Sequence, residues 1–410
     1  MVRVISVDTY RAAVVELLGT APPKALPLAE CAGLVLAEDV PAGVSLPPFD
    51  NSAMDGYAVR AVDVASATAA TPVELPVAED IPAGRTDVPP LLPGTAHRIM
   101  TGAPMPPGAD AVVKVEDTDG GTEKVSIREP APVGTHLRRT GEDVAAGTIA
   151  LHAGTVLGPA QLGLAAAVGL DRLTVHAPLR VLVVSTGSEL VTPPQELRHG
   201  QIYESNSIML AAGIRALGCA VEVVRSVVDD VAEFRAVIEP RLAETDLVVT
   251  SGGVSAGAYE VVKDSLTGAG VEFVKVAMQP GGPQGNGRWH GVPVVTLPGN
   301  PVSVLVSFEV FLRPAILTAL GHRQVDRSRV RARLTEALRS PAGRRQFRRG
   351  FYSHHDGEVT GEVGPRGGPG SHLLAAFAQA NCLIELPEDV VDAPEGSEVD
   401  VLLLPTRDFL

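Results

Sequence analysis

The stretch LRVLVVSTGSEL (residues 179–190) opens with a continuous apolar run and ends in small and polar residues. A run without polar alternation is the pattern of a strand buried on both faces of a parallel sheet. The same pattern returns in DLVVTSGGVSAG (246–257) and VPVVTLPGNPVS (292–303). Helical segments separate these runs: Asn206 is placed to cap SIMLAAGIRAL, which Gly218 ends, and Asp229 or Asp230 to cap a helix reaching Glu244. AVEVVRSVV, a short helix over 261–266, the strand VEFVKVA and a long helix from Val302 to Leu320 continue the alternation. Strand and helix in turn predict a doubly wound α/β domain over residues 178–322, near the usual domain size.

Outward from that domain the texture changes. The N-terminus predicts a helix from Val7 or Asp8 to Leu18, with Asp8 as N-cap and Gly19 as stop. Between Leu75 and Ile127 proline and glycine punctuate short strand-like pieces such as AVVKVEDT and KVSIRE. Residues 46–140 therefore read as an inserted small β domain, interrupting an elongated N-terminal domain of residues 1–45 and 141–177 that includes the helix PAQLGLAAAVGL. Residues 323–410 read as a C-terminal β-barrel or sandwich. The fold class is thus multidomain α/β, with the doubly wound domain accompanied by small β domains.

Composition narrows the partners. The 410 residues carry a net charge of -14, so the general field repels nucleic acid and anionic lipid. Cys31, Cys219 and Cys382 are far apart, show neither CxxC nor zinc spacing, and read as buried small hydrophobes in a reducing compartment. The N-terminus lacks a signal-peptide core and no unbroken run of about 18 apolar residues occurs. A cytoplasmic protein without membrane insertion is expected.

The chemistry is expected where the strands end. STGSEL (185–190), TSGGVSAG (250–257) and PGNPVS (298–303) follow three strands, and ligands of open α/β sheets bind at carboxyl strand ends. Backbone N–H groups of Gly252, Gly253 and Val254 are placed to cradle an oxyanion. No loop matches GxxxxGK[ST] or GxGxxG, which disfavours an ordinary ATPase or dehydrogenase. A fourth loop, LPPFDNSAMDGYAVR (46–60), gathers Asp50, Asn51, Ser52 and Asp55 around a turn closed by Gly56. Turn formation alone explains those residue types; hard oxygens in one turn also suit Mg2+. Asp55 together with Asp143, Glu189, Asp229, Asp230 and Glu260 makes up the acidic candidates. Arg138, Arg139, Lys275 and the run RRQFRRG (344–350) are the basic ones. No histidine falls in a zinc-ligand spacing.

Taken together, PPFDNSAMDGYAVR, IMTGAPMPPGADAVV, STGSEL, TSGGVSAG, LPGNPVS and the late GSHLL resemble, in order and nearly end to end, the motifs of the molybdopterin molybdenumtransferases. This MoeA family also includes the E domain of gephyrin. The resemblance implies a MogA-like α/β domain, a homodimer of four-subdomain chains, and partners among the molybdopterin-synthesis proteins. The implied reaction inserts molybdate into adenylated molybdopterin with Mg2+-dependent release of AMP. Carried across by motif, Asp55, Asp143, Glu189, Asp229 and Glu260 are the acidic catalytic positions, with Asp55, Glu189 and Asp229 as metal ligands. Thr101, Ser251, Gly252, Gly253, Ser255, Lys275, Pro298, Asn300, Pro301, Ser303, Arg349 and Ser371 are the binding positions. One departure stands out: QPGGP replaces the family's KPGKP, so Gln279 and Gly282 occupy two lysine positions. The alternative is a gephyrin-like scaffold that keeps the fold and binds a peptide of a membrane receptor or of a tubulin-like cell-division protein. Its candidate strands lie in AAFAQANCLIELP around Phe377, whose simpler role is core packing.

Overall fold

The computed structural model describes residues 3–227, 230–254, 261–354 and 360–405. The chain forms two compact units, one of Met1–Ala25, Gly33–Ala37 and Thr174–Leu410, the other of Leu26–Ala32 and Glu38–Leu173.

In the first unit, seven strands form one sheet in the order Val4–Ile5, Val271–Val276, Pro283–Trp289, Val292–Leu297, Leu247–Ser251, Arg180–Thr186, Ala220–Val227. The apolar run Arg180–Thr186 lies between two parallel neighbours, Ala220–Val227 and Leu247–Ser251. Its Val181 to Val184 are all buried, which is why it carries no polar alternation. The sheet is mixed rather than wholly parallel. Pro283–Trp289 runs antiparallel to both of its neighbours, a strand that its proline and two glycines concealed. At Gly285 an added Cβ would lie 2.5 Å from Thr296 Oγ1 and 2.9 Å from Phe273 Cδ1, so the residue that argues against a strand is the one this strand needs.

Helix ends follow the expected chemistry with two shifts. Val7–Leu18 is capped by Ser6, whose Oγ accepts from Thr9 N at 3.1 Å, and not by Asp8. Ser6 has the extended backbone a cap requires, while Asp8 sits in the first turn and binds Arg345 at 2.8 and 2.9 Å. Gly19 ends that helix at φ 62°. The helix Asn206–Arg215 likewise begins after Ser205, leaving Asn206 as its first residue, and Asp230 caps Val231–Ile238. The long C-terminal helix of the domain runs Pro301–Ala319 with a π segment at Phe308–Leu312. Its mean hydropathy of 1.7 and length would suit a membrane span, yet 78% of it is buried inside the fold. It is a core helix: Phe311 is fully buried and meets Tyr10 edge-on at 4.8 Å.

The C-terminal strands close into a barrel. Arg345–Ser353, Gly361–Pro365, Arg329–Leu334, Glu398–Leu403 and Cys382–Leu386 follow in order, and the last pairs back to the first. Met278–Gln279 of the α/β domain adds in parallel to this barrel, placing Gln279 opposite Gln346. Phe377 packs against the main hydrophobic core.

The second unit holds a five-stranded sheet in the order Ala111–Lys114, Gly56–Val59, Ala96–Ile99, Val73–Ile81, Lys124–Ile127. Within it His97 is 2% exposed and its Nδ1 is unpartnered. Burial, the first cause, holds its imidazole below the ordinary 6.5. A folded-state pKa below the unfolded one means that the unfolded chain takes up the proton first. This contribution to stability is complete above about pH 6.5 and is lost as the pH falls below it. The urea midpoint of the wild type is expected to drop between pH 7.5 and 5.5, and to drop less in His97→Phe. Equal drops in both would remove His97 as the source.

Candidate functional site

The strands Arg180–Thr186, Leu247–Ser251 and Val292–Leu297 are parallel neighbours, so their carboxyl ends share one edge of the sheet. The three loops that follow them line a cavity of about 920 Å³ within the first unit. Gly252 sits at φ 90°, where an added Cβ would lie 2.7 Å from the Thr186 carbonyl oxygen. Gly253 sits at φ 65°, where a Cβ would lie 2.9 Å from Val262 Cγ2. Only glycine lets these loops approach one another so closely. The expected cradle is smaller than the sequence suggested, because Gly252 N donates to Leu297 O at 3.2 Å and is committed to the fold. Gly253 and Val254 remain on the cavity wall.

Among the described residues three polar atoms of the wall are buried without a partner: Thr186 Oγ1, Ser251 Oγ and Asn206 Oδ1. Thr186 is 5% exposed and Ser251 1%. A buried hydroxyl left unpaired costs on the order of 1–3 kcal/mol, so such atoms mark where a ligand or water completes the structure.

The third loop leads into the N-terminus of Pro301–Ala319. Asn300 occupies the cap position without a side-chain cap, and Pro298, Asn300, Pro301 and Ser303 all reach the cavity. Ser371 reaches it from the barrel side, and its carbonyl accepts from Val302 N at 3.1 Å. Arg349 acts from beneath. It is 4% exposed, and its guanidinium donates to the carbonyls of Arg366 at 3.4 Å, Gly370 at 3.1 Å and Gly368. It thereby ties down the loop that delivers Ser371 and is itself not among the lining residues. The run RRQFRRG is therefore largely spent internally, since Arg345 also pairs with Asp8, Glu385 and Glu388.

Charge in the cavity is acidic. Glu189 is exposed on its wall. Glu204 is 2% exposed, accepts from Ser207 N at 2.8 Å and Ser207 Oγ at 2.6 Å, and faces Arg225 at 3.9 Å. The described lining residues include no lysine or arginine. Gln279 lines the cavity, while Gly282 and Lys275 do not. Lys275 is exposed on its strand.

Asp55, Thr101 and Asp143 belong to the second unit. Asp55 Oδ1 accepts from Thr101 N at 2.7 Å and Thr101 Oγ1 at 2.8 Å. These bonds, the backbone one first, hold its carboxyl below the usual carboxylate range. Asp50 is treated the same way by Thr140 and Arg139. Asp143 is exposed. Asp229, Ser255 and Glu260 lie outside the described residues.

Among the described residues no three His, Cys, Asp or Glu side chains gather as a metal cage. The donor chemistry still suits Mg2+, which takes one or two carboxylates and completes its shell with water and phosphate oxygens. Glu189 is the exposed carboxylate available for that role in the cavity. The sequence reading missed Tyr203, Glu204, Asn206 and His372, all on the cavity wall. The compact segment IYESN, just before a helix start, was the available signal.

The fold and cavity define a class: a multidomain α/β protein with a cavity at the carboxyl ends of three parallel strands of its main sheet. Three family descriptions match in order: "MoeA N-terminal region (domain I and II)" over residues 5–169, "Probable molybdopterin binding domain" over 182–318, and "MoeA C-terminal region (domain IV)" over 331–404. Molybdopterin molybdenumtransferase 2 of Mycobacterium tuberculosis is 56% identical over 403 residues, covering 97% of this chain and 98% of the relative. The molybdopterin molybdenumtransferase of Haemophilus influenzae is 37% identical, with 92% of each chain covered. A crystal structure titled as a molybdopterin biosynthesis MoeA protein of Pyrococcus superposes with a TM-score of 0.84 at 33% identity, covering 98% of this chain and 100% of the other. The chain belongs to the MoeA family of molybdopterin molybdenumtransferases, transferases of molybdenum cofactor biosynthesis.

Proposed function

We propose that the chain transfers molybdate to the dithiolene of adenylated molybdopterin and releases AMP, with Mg2+ as the companion cation and a homodimer in the cytoplasm as the working form. The observation that carries this reading is the cavity of the first unit, where a glycine-built turn and unpartnered buried hydroxyls line the ends of three parallel strands. Ser251, Thr186 and Asn206 supply neutral hydrogen-bonding groups for ligand oxygens. Gly253 and Val254 bring backbone close to it, and Arg349 fixes the loop through which Ser371 and His372 close one side. When bound, Mg2+ would screen the phosphate charge that Glu189 alone repels, and Glu189 would hold it. Asp55 engages one carboxylate oxygen with Thr101, and among the described residues its other oxygen has no hydrogen-bond partner and is offered to a ligand.

The test mixes purified protein with molybdate, Mg2+ and adenylated molybdopterin and follows AMP. Release above a protein-free blank supports the reading, and none overturns it. The scaffold alternative finds no specific support in the cavity or in Phe377, which packs into the core.

The two missing family lysines give a further expectation. A lysine about 4 Å from an oxyanion contributes on the order of 4 kcal/mol at an effective dielectric near 20, before desolvation. Gln279→Lys is expected to tighten molybdate binding, more at low salt than at high. Gly282→Lys should matter less, since Gly282 is not on the wall. Calorimetry with molybdate checks this, and an unchanged Kd in Gln279→Lys would place that side chain away from the anion.

A further inference from the structure

We propose that Tyr203 is the ring-stacking platform of the cavity, taking the face of a planar nitrogen heterocycle of the ligand. The inference rests on the functional reading above, whose adenylated substrate carries two such rings, an adenine and a pterin.

Aromatic residues make up 4% of the chain, and five of them are tyrosines. Tyr10 and Tyr57 are fully buried, whereas Tyr203 is 45% exposed on the cavity wall and follows Ile202, 55% exposed on the same wall. Two adjacent large apolar side chains left open at the cavity offer a surface to an apolar face, because covering the exposed face of a ring removes apolar area from water. Pro280, Pro298 and Pro369 also line the cavity and bring no competing charge.

The backbone under Tyr203 is held while its ring is not. Leu190–Val191 pairs in parallel with Ile202–Tyr203, Ile202 N donates to Glu189 O at 3.0 Å, and Glu204 N donates to Val191 O at 2.9 Å. The next side chain, Glu204, is locked to Ser207 at the start of the following helix. Among the described residues the Tyr203 ring makes no ring–ring or cation–π contact. A fixed backbone leaves only the side chain to be ordered on binding, which favours stacking. The same strap carries Glu189, so a ring on Tyr203 would bring its attached phosphate toward that carboxylate and its cation.

Base stacking on an aromatic side chain changes affinity by roughly tenfold or more on alanine substitution. The experiment titrates the full chain by calorimetry with AMP, pterin-6-carboxylate and ribose 5-phosphate, the last being the ringless control. Tyr203→Ala is expected to weaken AMP or the pterin about tenfold or more and to leave ribose 5-phosphate unchanged. Tyr203→Phe keeps wild-type affinity. Whichever probe is weakened identifies the ring. Tyr203→Trp adds a fluorescence signature, because Trp289, the chain's single tryptophan, is 3% exposed and stacked on Phe234, away from the cavity wall. The new indole should be quenched by the same ring. Wild-type binding of both rings by Tyr203→Ala, or an equal loss of ribose 5-phosphate, overturns the proposal. If the wild type releases AMP and Tyr203→Ala keeps its KM, the stacking fails and the transferase reading stands; if the wild type binds neither ring and releases no AMP, both fall.

Discussion

Glu189→Gln is expected to lower the rate of AMP release by roughly 10²- to 10³-fold, the size of loss that follows removal of one preorganised charge from a reacting centre. Glu189 is exposed on the cavity wall beside the Gly187 turn, and the cavity's other described carboxylate, Glu204, is already engaged by Ser207 and Arg225. The substitution keeps shape and removes charge, so folding should be unchanged and the loss should appear in kcat and in the Mg2+ concentration needed for half activity. Asp55→Ala is expected to be similarly damaging, since it also releases Thr101 from its two bonds. Full activity of Glu189→Gln at low Mg2+ would show that the carboxylate holds no cation.

Gly252→Val is expected to abolish measurable ligand binding. A side chain at φ 90° carries backbone strain on the order of 1–3 kcal/mol. The greater obstacle is steric: the Cβ position lies 2.7 Å from a strand carbonyl, which cannot rotate aside as a side chain would, and Gly299 closes the other flank, its own Cβ position 3.5 Å from Gly252 Cα. To accept valine, two of the three cavity loops must separate. Gly268→Ala separates the two effects. It has φ 75° with nothing within 4 Å of its Cβ position, so it bears the strain alone. AMP affinity should fall beyond detection in Gly252→Val and stay at the wild-type value in Gly268→Ala. Comparable affinities in the two would mean that the loop contact does not shape the cavity.

Much of the fold was legible because its signals are local. Val181 to Val184 had to be apolar to sit inside a parallel sheet, and Gly19, Gly218 and Asp230 end or begin helices through bonds to residues a few positions away. The strand Pro283–Trp289 was not legible, because Gly285 answers to Thr296 and Phe273 and Gly287 to Gly270 and Val271, neighbours that sequence does not place. The same limit applied to the site. Ser251, Gly253, Pro298 and Ser303 lie in loops that follow strands, a rule about chain direction, and they line the cavity. Arg349 was taken for a ligand contact, whereas its guanidinium faces three carbonyls of a loop seventeen to twenty-one residues away. Tyr203 passed unnoticed, since an aromatic in a short segment reads as core until its exposure is known.

The sequence by itself determined the kind of elements, the order of motifs and the family, because hydrophobic period, caps and turn residues act over a few positions of chain. The tertiary structure alone decided which polar groups are spent and which are open. Gly252 N and Arg349 are satisfied inside the fold, while Ser251, Thr186 and Asn206 hold atoms without a hydrogen-bond partner among the described residues. That division turns on partners brought together from distant positions, and a hydrogen bond exists only once both ends are in place.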